Sequence, residues 1–248
     1  MVKNKYFNVI KKSEKKAEIH IFGDIISEEY RFDDADTSAV SFKKELDALG
    51  DVNEIEVHIN SGGGFVFEGL AVHNMLKSHK AKIKVYIEGL AGSISSVIAM
   101  AGDEIYMASN SLLMIHNATG VFVGDYRDME KAAQTLRTIN STVSNSYLSR
   151  DLTVTEAKLQ KMMDDETWMD ADTALHYGFA DYKTEALQVA ASVSNEALAR
   201  YRNAPDDLFK RTAVAAHVPK VSKAPKKNSA ALEALLRFGD HLEARNRE

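Results

Sequence analysis

The stretch Glu54-Ile55-Glu56-Val57-His58-Ile59-Asn60-Ser61-Gly62-Gly63-Gly64 decides the fold of this chain. Up to Asn60 the apolar side chains alternate with polar ones, which predicts a strand with one buried face. The glycines then end the strand, and residues 65–80 have the periodicity of a helix. The stretch therefore predicts a strand, a tight glycine turn and a helix in direct succession.

The same alternation of strand and helix continues on both sides of this stretch. Further strands are predicted at residues 17–23, 82–88, 104–108 and 112–116. Helices are predicted at residues 37–49, 93–101, about 125–150, 153–163 and 170–176, and again at 190–202 and 228–245. Alternating strands and helices are typical of crossover units, so we predict an α/β fold with a mainly parallel sheet.

The bulk composition excludes several classes of protein. Hydrophobic residues make up 45% of the 248 residues and charged residues 27%, as in ordinary globular proteins. The net charge of -5 argues against nucleic acid as a partner, and the lack of cysteine excludes disulfides and thiolate catalysis. We find no apolar signal peptide and no apolar run of the roughly 18 residues that span a membrane. We therefore expect a cytoplasmic protein without a membrane partner.

Charge and proline divide the chain into two parts. Residues 200–248 contain 11 Lys/Arg and 6 Asp/Glu, a net charge of +5, which leaves 20 against 30, or -10, for residues 1–199. All three prolines also lie in this last part. The shift predicts a domain at residues 1–190, followed by a basic, proline-containing, helical extension at residues 191–248.

Ser93 is a candidate nucleophile. It follows the small-residue turn Gly89-Leu90-Ala91-Gly92 and opens a predicted helix, where unpaired N–H groups favour negative charge. A serine hydroxyl needs a base, an orienter for that base and donors for the oxyanion. The alternative is a plain helix cap, with Ser95 and Ser96 as packing residues.

His116 is a candidate base, because it ends the apolar strand Leu112-Leu113-Met114-Ile115. Ligands of open α/β sheets bind at the carboxyl ends of strands. A purely structural histidine remains the alternative. The sequence has no HExxH or comparable ligand spacing, so we expect neither a metal site nor a cofactor.

The glycine run at residues 62–64 lets the backbone approach a ligand closely and present N–H donors. No Gly-Lys-Ser/Thr follows it, which disfavours a phosphate-binding loop. A simple turn between strand and helix is equally compatible with the pattern.

Taken together, these three segments resemble the ClpP-type serine peptidases, over roughly residues 15 to 185. Shared features are glycines after an asparagine–serine pair, the Gly-x-Ala-x-Ser turn and the segment Met114-Ile115-His116. The resemblance implies a ClpP/crotonase-like α/β fold of repeated ββα units, with a long "handle" helix through which rings stack. It also implies that Ser93 is the nucleophile and His116 the general base. Gly62 stands where the family usually has proline, a departure that loosens the turn.

The resemblance also implies the remaining parts of the site. The backbone N–H groups of Gly64 and Ile94 would be the oxyanion donors. An alignment on Tyr177-Gly178 places Glu166 where the family has an aspartate as the third member of the triad. Glutamate reaches further than aspartate and requires a displaced backbone, so Asp165 stays open as the alternative acid.

Within the family, the chain is most similar to the phage and prophage head maturation (prohead) proteases. The segments that carry this similarity are residues 88–93, 99–103 and 166–168. It implies an endopeptidase that processes scaffold or capsid proteins in the bacterial host cytoplasm or in an assembling prohead. The predicted partners are the polypeptide substrate and further copies of the chain in a ring, while dependence on an ATPase stays open.

Other functions remain compatible with the sequence. The chain could be a housekeeping ClpP-type degradation subunit, or a catalytically silent assembly or scaffold protein with the same fold. Crotonase-type proteins also use glycine N–H donors, but they bind acyl-CoA and need no serine–histidine pair. The presence of both Ser93 and His116 favours the peptidase.

Overall fold

The computed structural model describes residues 7–13, 15–31, 36–186, 193 and 198–205. In these residues eight strands form one sheet, in the order β1-β2-β3-β4-β5-β8, with β6 paired to β4 and to β7. The strands are Phe7–Lys11 (β1), Lys16–Ile21 (β2), Glu54–Ser61 (β3), Lys82–Gly92 (β4), Glu104–Ala108 (β5), Leu112–Ile115 (β6), Thr167–Asp170 (β7) and Tyr182–Thr184 (β8). Only β1/β2 and β6/β7 are antiparallel pairs among the described strands, so the predicted, mainly parallel α/β sheet is confirmed.

Helices connect the strands. They are Ala39–Ala48 (α1), Val66–Lys77 (α2), Ile94–Ala99 (α3), Tyr126–Leu148 (α4), Glu156–Asp164 (α5) and Ala171–Tyr177 (α6), and a short 3-10 turn spans Glu28–Tyr30. The long predicted helix is α4, which begins after the capping residue Asp125, whose side chain accepts from the N–H groups of Arg127 and Asp128. Few of its residues are buried, so most of its surface is open to solvent.

The core explains the alternating pattern of β3. Ile55, Val57 and Ile59 are fully buried and belong to one hydrophobic cluster with neighbouring strands and helices. The intervening residues point to the opposite, half-exposed face, as the pleat of a strand requires. On that face aromatic rings stack across the sheet from strand to strand, in the order His20, His58, Tyr86, Tyr106, Tyr182.

Some elements were not predicted from the sequence. The strands β1, β7 and β8 are short, and β7 and β8 pair with strands that are distant in the chain, so local periodicity alone does not reveal them. The strand predicted at 82–88 extends to Gly92, because β3 and β6 pair with its small residues. Of the helix predicted at 190–202, the described residues show one turn at 198–200; the helix predicted at 228–245 lies outside the described residues.

The fork of the sheet at β4 positions the candidate site. The first half of β4 pairs with β5, and residues Leu90 to Gly92 pair with β6 in parallel register, with Gly92 opposite Met114. Both strands end at the same edge, so Ser93 and His116 leave the sheet side by side. This register explains why the two residues meet where the strands end, as the sequence predicts.

None of the helices in the described ranges combines the length and the apolar character that crossing a bilayer requires.

Candidate active site

Ser93 and His116 form a hydrogen-bonded pair. The Ser93 Oγ atom lies 2.7 Å from His116 Nε2. The backbone fixes the pair as well, because the N–H of Ser93 donates to the carbonyl of Met114 over 2.9 Å. This is the contact that a hydroxyl nucleophile and its base require.

The turn at Ser93 is strained. Its φ of 54° and ψ of -127° are rarely adopted by residues other than glycine. Although Ser93 occupies the capping position of α3, its side chain makes no capping hydrogen bond. Ser95 and Ser96 stabilise the turn, since their hydroxyls donate to the carbonyls of Gly92 and Ser93 over 2.8 and 2.6 Å. The strain directs the Ser93 hydroxyl toward His116, as a sharp strand-to-helix turn does for a nucleophile.

Burial sets the protonation of His116. Loss of solvent lowers the pKa of the imidazole below its ordinary value, the charge of Glu166 raises that pKa to a smaller extent, and Arg202 lowers it further. The imidazole is therefore neutral near pH 7, the form that accepts a proton from a hydroxyl.

The glycine run brings backbone against the serine turn. A Cβ atom at Gly63 would lie 2.6 Å from the carbonyl oxygen of Gly92 and 2.8 Å from the Cβ of Ser93. At Gly64, with φ of 150°, a Cβ would lie 2.0 Å from the carbonyl oxygen of Ile25. Only glycine fits either position, which gives the run a packing role that the sequence pattern did not reveal at Gly63.

The hydrogen bonds around the run use the backbone of Gly63 but not the N–H of Gly64. The N–H of Gly63 donates to Ser61 Oγ over 3.1 Å, and its carbonyl accepts from the N–H of Ile25 over 3.0 Å. The next rung runs from the N–H of Phe65 to the carbonyl of Ile25, so this ladder does not use the N–H of Gly64. Within the described residues, neither this N–H nor that of Ile94 donates a hydrogen bond, and both are available to an oxyanion.

Glu166 is buried beside the pair, with a φ of 51° and 4% of its surface exposed. Its carboxylate oxygens accept from the backbone N–H groups of Arg202, over 3.0 Å, and Asn203, over 2.7 Å. Trp168 Nε1 is a third donor, at 3.4 Å. In the described part of the chain, no hydrogen bond joins Glu166 to His116; the two interact through charge.

Asp165 points elsewhere. Its carboxylate pairs with Lys161 over 2.8 Å, and 55% of its side chain is exposed. Its backbone carbonyl accepts from the side-chain amide of Asn203 over 2.9 Å. Charge and burial thus place Glu166, rather than Asp165, in electrostatic contact with the imidazole.

Residues 198–203, which we call the strap, also lie at the site, although the sequence indicates only an extension there. The Tyr201 ring packs edge-on against His116, with centroids 5.3 Å apart, and its hydroxyl donates to the carbonyl of Gly62. The sequence holds no signal for this contact, because the strap is separated from the rest of the site along the chain and has no recognisable motif.

Away from this site, one cluster among the residues that the structure describes has the spacing that a metal ion requires. Ligand atoms of Glu18, Glu56 and His58 on the half-exposed sheet face lie within 4.8 Å of one another. The carboxylates already have cationic partners, however: Lys12 contacts Glu18 and Lys16 contacts Glu56. The cluster is therefore a set of ion pairs rather than an open ligand set, and His58 Nε2 is buried without a hydrogen-bond partner among the described residues.

Comparisons with known proteins show the family to which the chain belongs. The family model described as Clp protease matches residues 25–185. The chain is 32% identical over 138 residues to an ATP-dependent Clp protease proteolytic subunit from Deinococcus radiodurans, covering 55% of this chain and 67% of that relative.

A solved structure of a ClpP1 mutant from Listeria monocytogenes has the same fold. It superposes with a TM-score of 0.57 at 23% identity, and the match covers 69% of this chain and 92% of that structure. The family model alone spans more than half of the chain. The chain therefore belongs to the Clp protease family, whose members are serine peptidases.

Proposed function

We propose that this chain is a serine endopeptidase in which Ser93 is the nucleophile and His116 the general base. The observation that carries the proposal is the 2.7 Å contact between Ser93 Oγ and His116 Nε2 at a strained strand-to-helix turn. A buried, neutral imidazole adds the protonation state that the reaction needs.

The reaction follows from these roles. His116 takes the Ser93 proton as Oγ attacks the scissile carbonyl carbon, and the N–H groups of Gly64 and Ile94 bind the oxyanion. The protonated imidazole then gives its proton to the leaving amine, and water hydrolyses the resulting acyl-enzyme. Glu166 stabilises the imidazolium by its charge, and it is the proposed third member of the triad.

We assign the substrate to the scaffold or capsid proteins of a phage or prophage, so that the enzyme acts in head maturation. The proposal is supported by the similarity of residues 88–93, 99–103 and 166–168 to that branch, and by the basic extension at 191–248 beyond the peptidase domain at 1–190. Rings of this chain, stacked through α4, would enclose the site and admit only unfolded or threaded chains. The exposed segment of residues 120–123 after His116 is available to pair with an extended substrate.

A housekeeping degradation subunit fits the same site equally well. The observation in its favour is the relative named as a proteolytic subunit of an ATP-dependent Clp protease. The two functions differ in substrate and in the need for an ATPase ring.

Co-expression separates these functions. The chain is expressed with phage scaffold and capsid proteins as candidate substrates, without an added ATPase, and cleavage is followed by mass spectrometry. Processing that disappears in the Ser93→Ala variant supports head maturation. Absence of processing, together with degradation of a model unfolded protein only when an ATPase ring is added, contradicts it and favours the degradation subunit.

A further inference from the structure

The strap contacts the surroundings of the Ser93–His116 pair through Tyr201. The ring lies edge-on to His116, at 5.3 Å and 87°, and edge-on to Trp168, at 5.8 Å and 77°. The Tyr201 hydroxyl donates to the carbonyl of Gly62, in the glycine run. An aromatic side chain thus fills the space between the imidazole, the indole and the glycine run.

The backbone of the strap is held next to this ring. The N–H groups of Arg202 and Asn203 donate to the two oxygens of Glu166, at 3.0 and 2.7 Å. The Asn203 side-chain amide donates to the backbone carbonyl of Asp165 over 2.9 Å. Because a carboxylate that accepts backbone N–H groups makes strong, charge-assisted hydrogen bonds, these contacts fix the strap against the acid of the site.

Two further contacts fix the preceding residues. Arg200 forms an ion pair with Asp24 over 2.6 Å, and Leu198 is 2% exposed. Along the strap, the buried Leu198, the ion pair of Arg200 and the ring of Tyr201 thus follow one another as anchors. A peptide bound in a groove is held in the same way.

The electrostatics agree with close packing at the site. Burial raises the pKa of Tyr201 to about 12, although the charge of Arg200 lowers it in part. Arg202 in turn lowers the pKa of His116. The strap thus acts on His116 both through the Tyr201 ring and through the charge of Arg202.

We infer that the strap is a built-in ligand of the active site, and that Tyr201 fills a subsite that accepts an aromatic side chain of a polypeptide. The inference rests on the proposed function and adds to it a class of substrate and a mode of inhibition. With Tyr201 between His116, Trp168 and Gly62, a scissile peptide has no room beside Ser93. A substrate must therefore displace the strap. A substrate with an aromatic residue replaces the contacts of Tyr201 best.

The first measurement is the rate at which a fluorophosphonate probe labels Ser93 in the full-length chain. Tyr201→Ala removes the ring, and Asn203→Pro removes the N–H that Glu166 accepts. If the strap is open about one-tenth of the time, either change raises the labelling rate about tenfold. Tyr182→Ala, which removes a 48% exposed tyrosine from β8, is the matched control and leaves the rate unchanged.

The second measurement reports on the strap without catalysis. Trp168 is the only tryptophan of the chain and contacts Tyr201. Acrylamide quenching of its fluorescence should increase in Tyr201→Ala and Asn203→Pro, including in a Ser93→Ala background, and should not change in Tyr182→Ala.

The peptide Leu198-Ala199-Arg200-Tyr201-Arg202-Asn203-Ala204-Pro205, added in trans, tests the subsite. It should slow the labelling of the Tyr201→Ala protein and reduce the quenching of Trp168. The same peptide with alanine in place of the tyrosine should do neither, and with phenylalanine it should retain most of the effect.

The outcomes separate the inference from the proposed function. If the quenching of Trp168 is unchanged in both strap variants, the placement of the strap is wrong. If quenching increases but Ser93 is labelled at the same rate as in the unmodified chain, the strap does not inhibit the site, and the proposed peptidase activity is unaffected. Equal inhibition by the tyrosine and alanine peptides overturns the aromatic subsite. If Ser93 is labelled in no variant although quenching increases, the proposed function fails, and the inhibitory role fails with it.

Discussion

The backbone N–H of Asn203 donates to Glu166 Oε1 over 2.7 Å, although 37 residues separate the two in the sequence. The carboxylate is thereby bonded to the strap and acts on His116 through its charge. Any role of Glu166 in orienting the imidazole is therefore best measured when the strap is open.

Glu166→Gln should lower the rate of peptide cleavage by roughly 100- to 10,000-fold in a Tyr201→Ala background, because a neutral amide does not stabilise the imidazolium. Asp165→Asn is the matched control, since Asp165 is exposed and paired with Lys161, and it should change the rate less than about twofold. Steady-state cleavage of a fluorogenic peptide measures both. A large loss in Asp165→Asn with none in Glu166→Gln would assign the acid to Asp165 instead.

Ser93→Ala should abolish both labelling by a fluorophosphonate and peptide cleavage, because it removes the nucleophilic oxygen while preserving the fold. Ser109→Ala removes the hydroxyl of an exposed serine after β5 and serves as the control with full labelling. Intact-protein mass spectrometry locates the adduct. Labelling that persists in Ser93→Ala rules out Ser93 as the nucleophile.

The rate of labelling should depend on pH through His116. Burial lowers the pKa of the imidazole below its usual value of about 6.5. The neutral base therefore persists into mildly acidic solution, and the labelling rate should fall only when the pH is below 6.5. Arg202→Gln removes a charge that lowers this pKa, and it should move the midpoint of the fall to higher pH. Arg127→Gln, on the exposed surface of α4, should leave the midpoint in place; an equal shift in both variants argues against the local effect.

Gly63→Ala should disrupt the serine turn, because the new Cβ would lie 2.6 Å from the carbonyl oxygen of Gly92 and 2.8 Å from the Cβ of Ser93. Gly50→Ala is the matched control: Gly50 also has a positive φ, of 65°, but a Cβ atom added there would meet no atom within 4 Å. Both changes cost about 1 kcal/mol of backbone strain in the free energy of unfolding.

Only Gly63→Ala should in addition lose labelling of Ser93. Chemical denaturation measures the stability of the two variants, and the fluorophosphonate assay measures their labelling. Equal labelling of both variants at matched stability shows that the close approach of Gly63 does not support the serine turn.

Most of the sheet and helices follow from local pattern. The alternation in β3 predicts its buried face, and the small-residue turn before Ser93 predicts the start of α3, because both depend on neighbours along the chain. The strand β7 pairs with β6 and carries Trp168, yet its four residues have too little periodicity to be recognised. Its pairing is decided by contacts that local sequence does not encode.

The sequence by itself determined the class of fold, the family and the order of the glycine run, Ser93 and His116 along the chain. Only the tertiary structure decided the distances among them, since the parallel register of Gly92 with Met114 brings the serine turn beside the histidine. It also decided what surrounds Glu166: the strap reaches that carboxylate across 36 and 37 residues of chain. Periodicity reports which face of an element is buried, whereas contacts between distant segments depend on the packing of the whole fold.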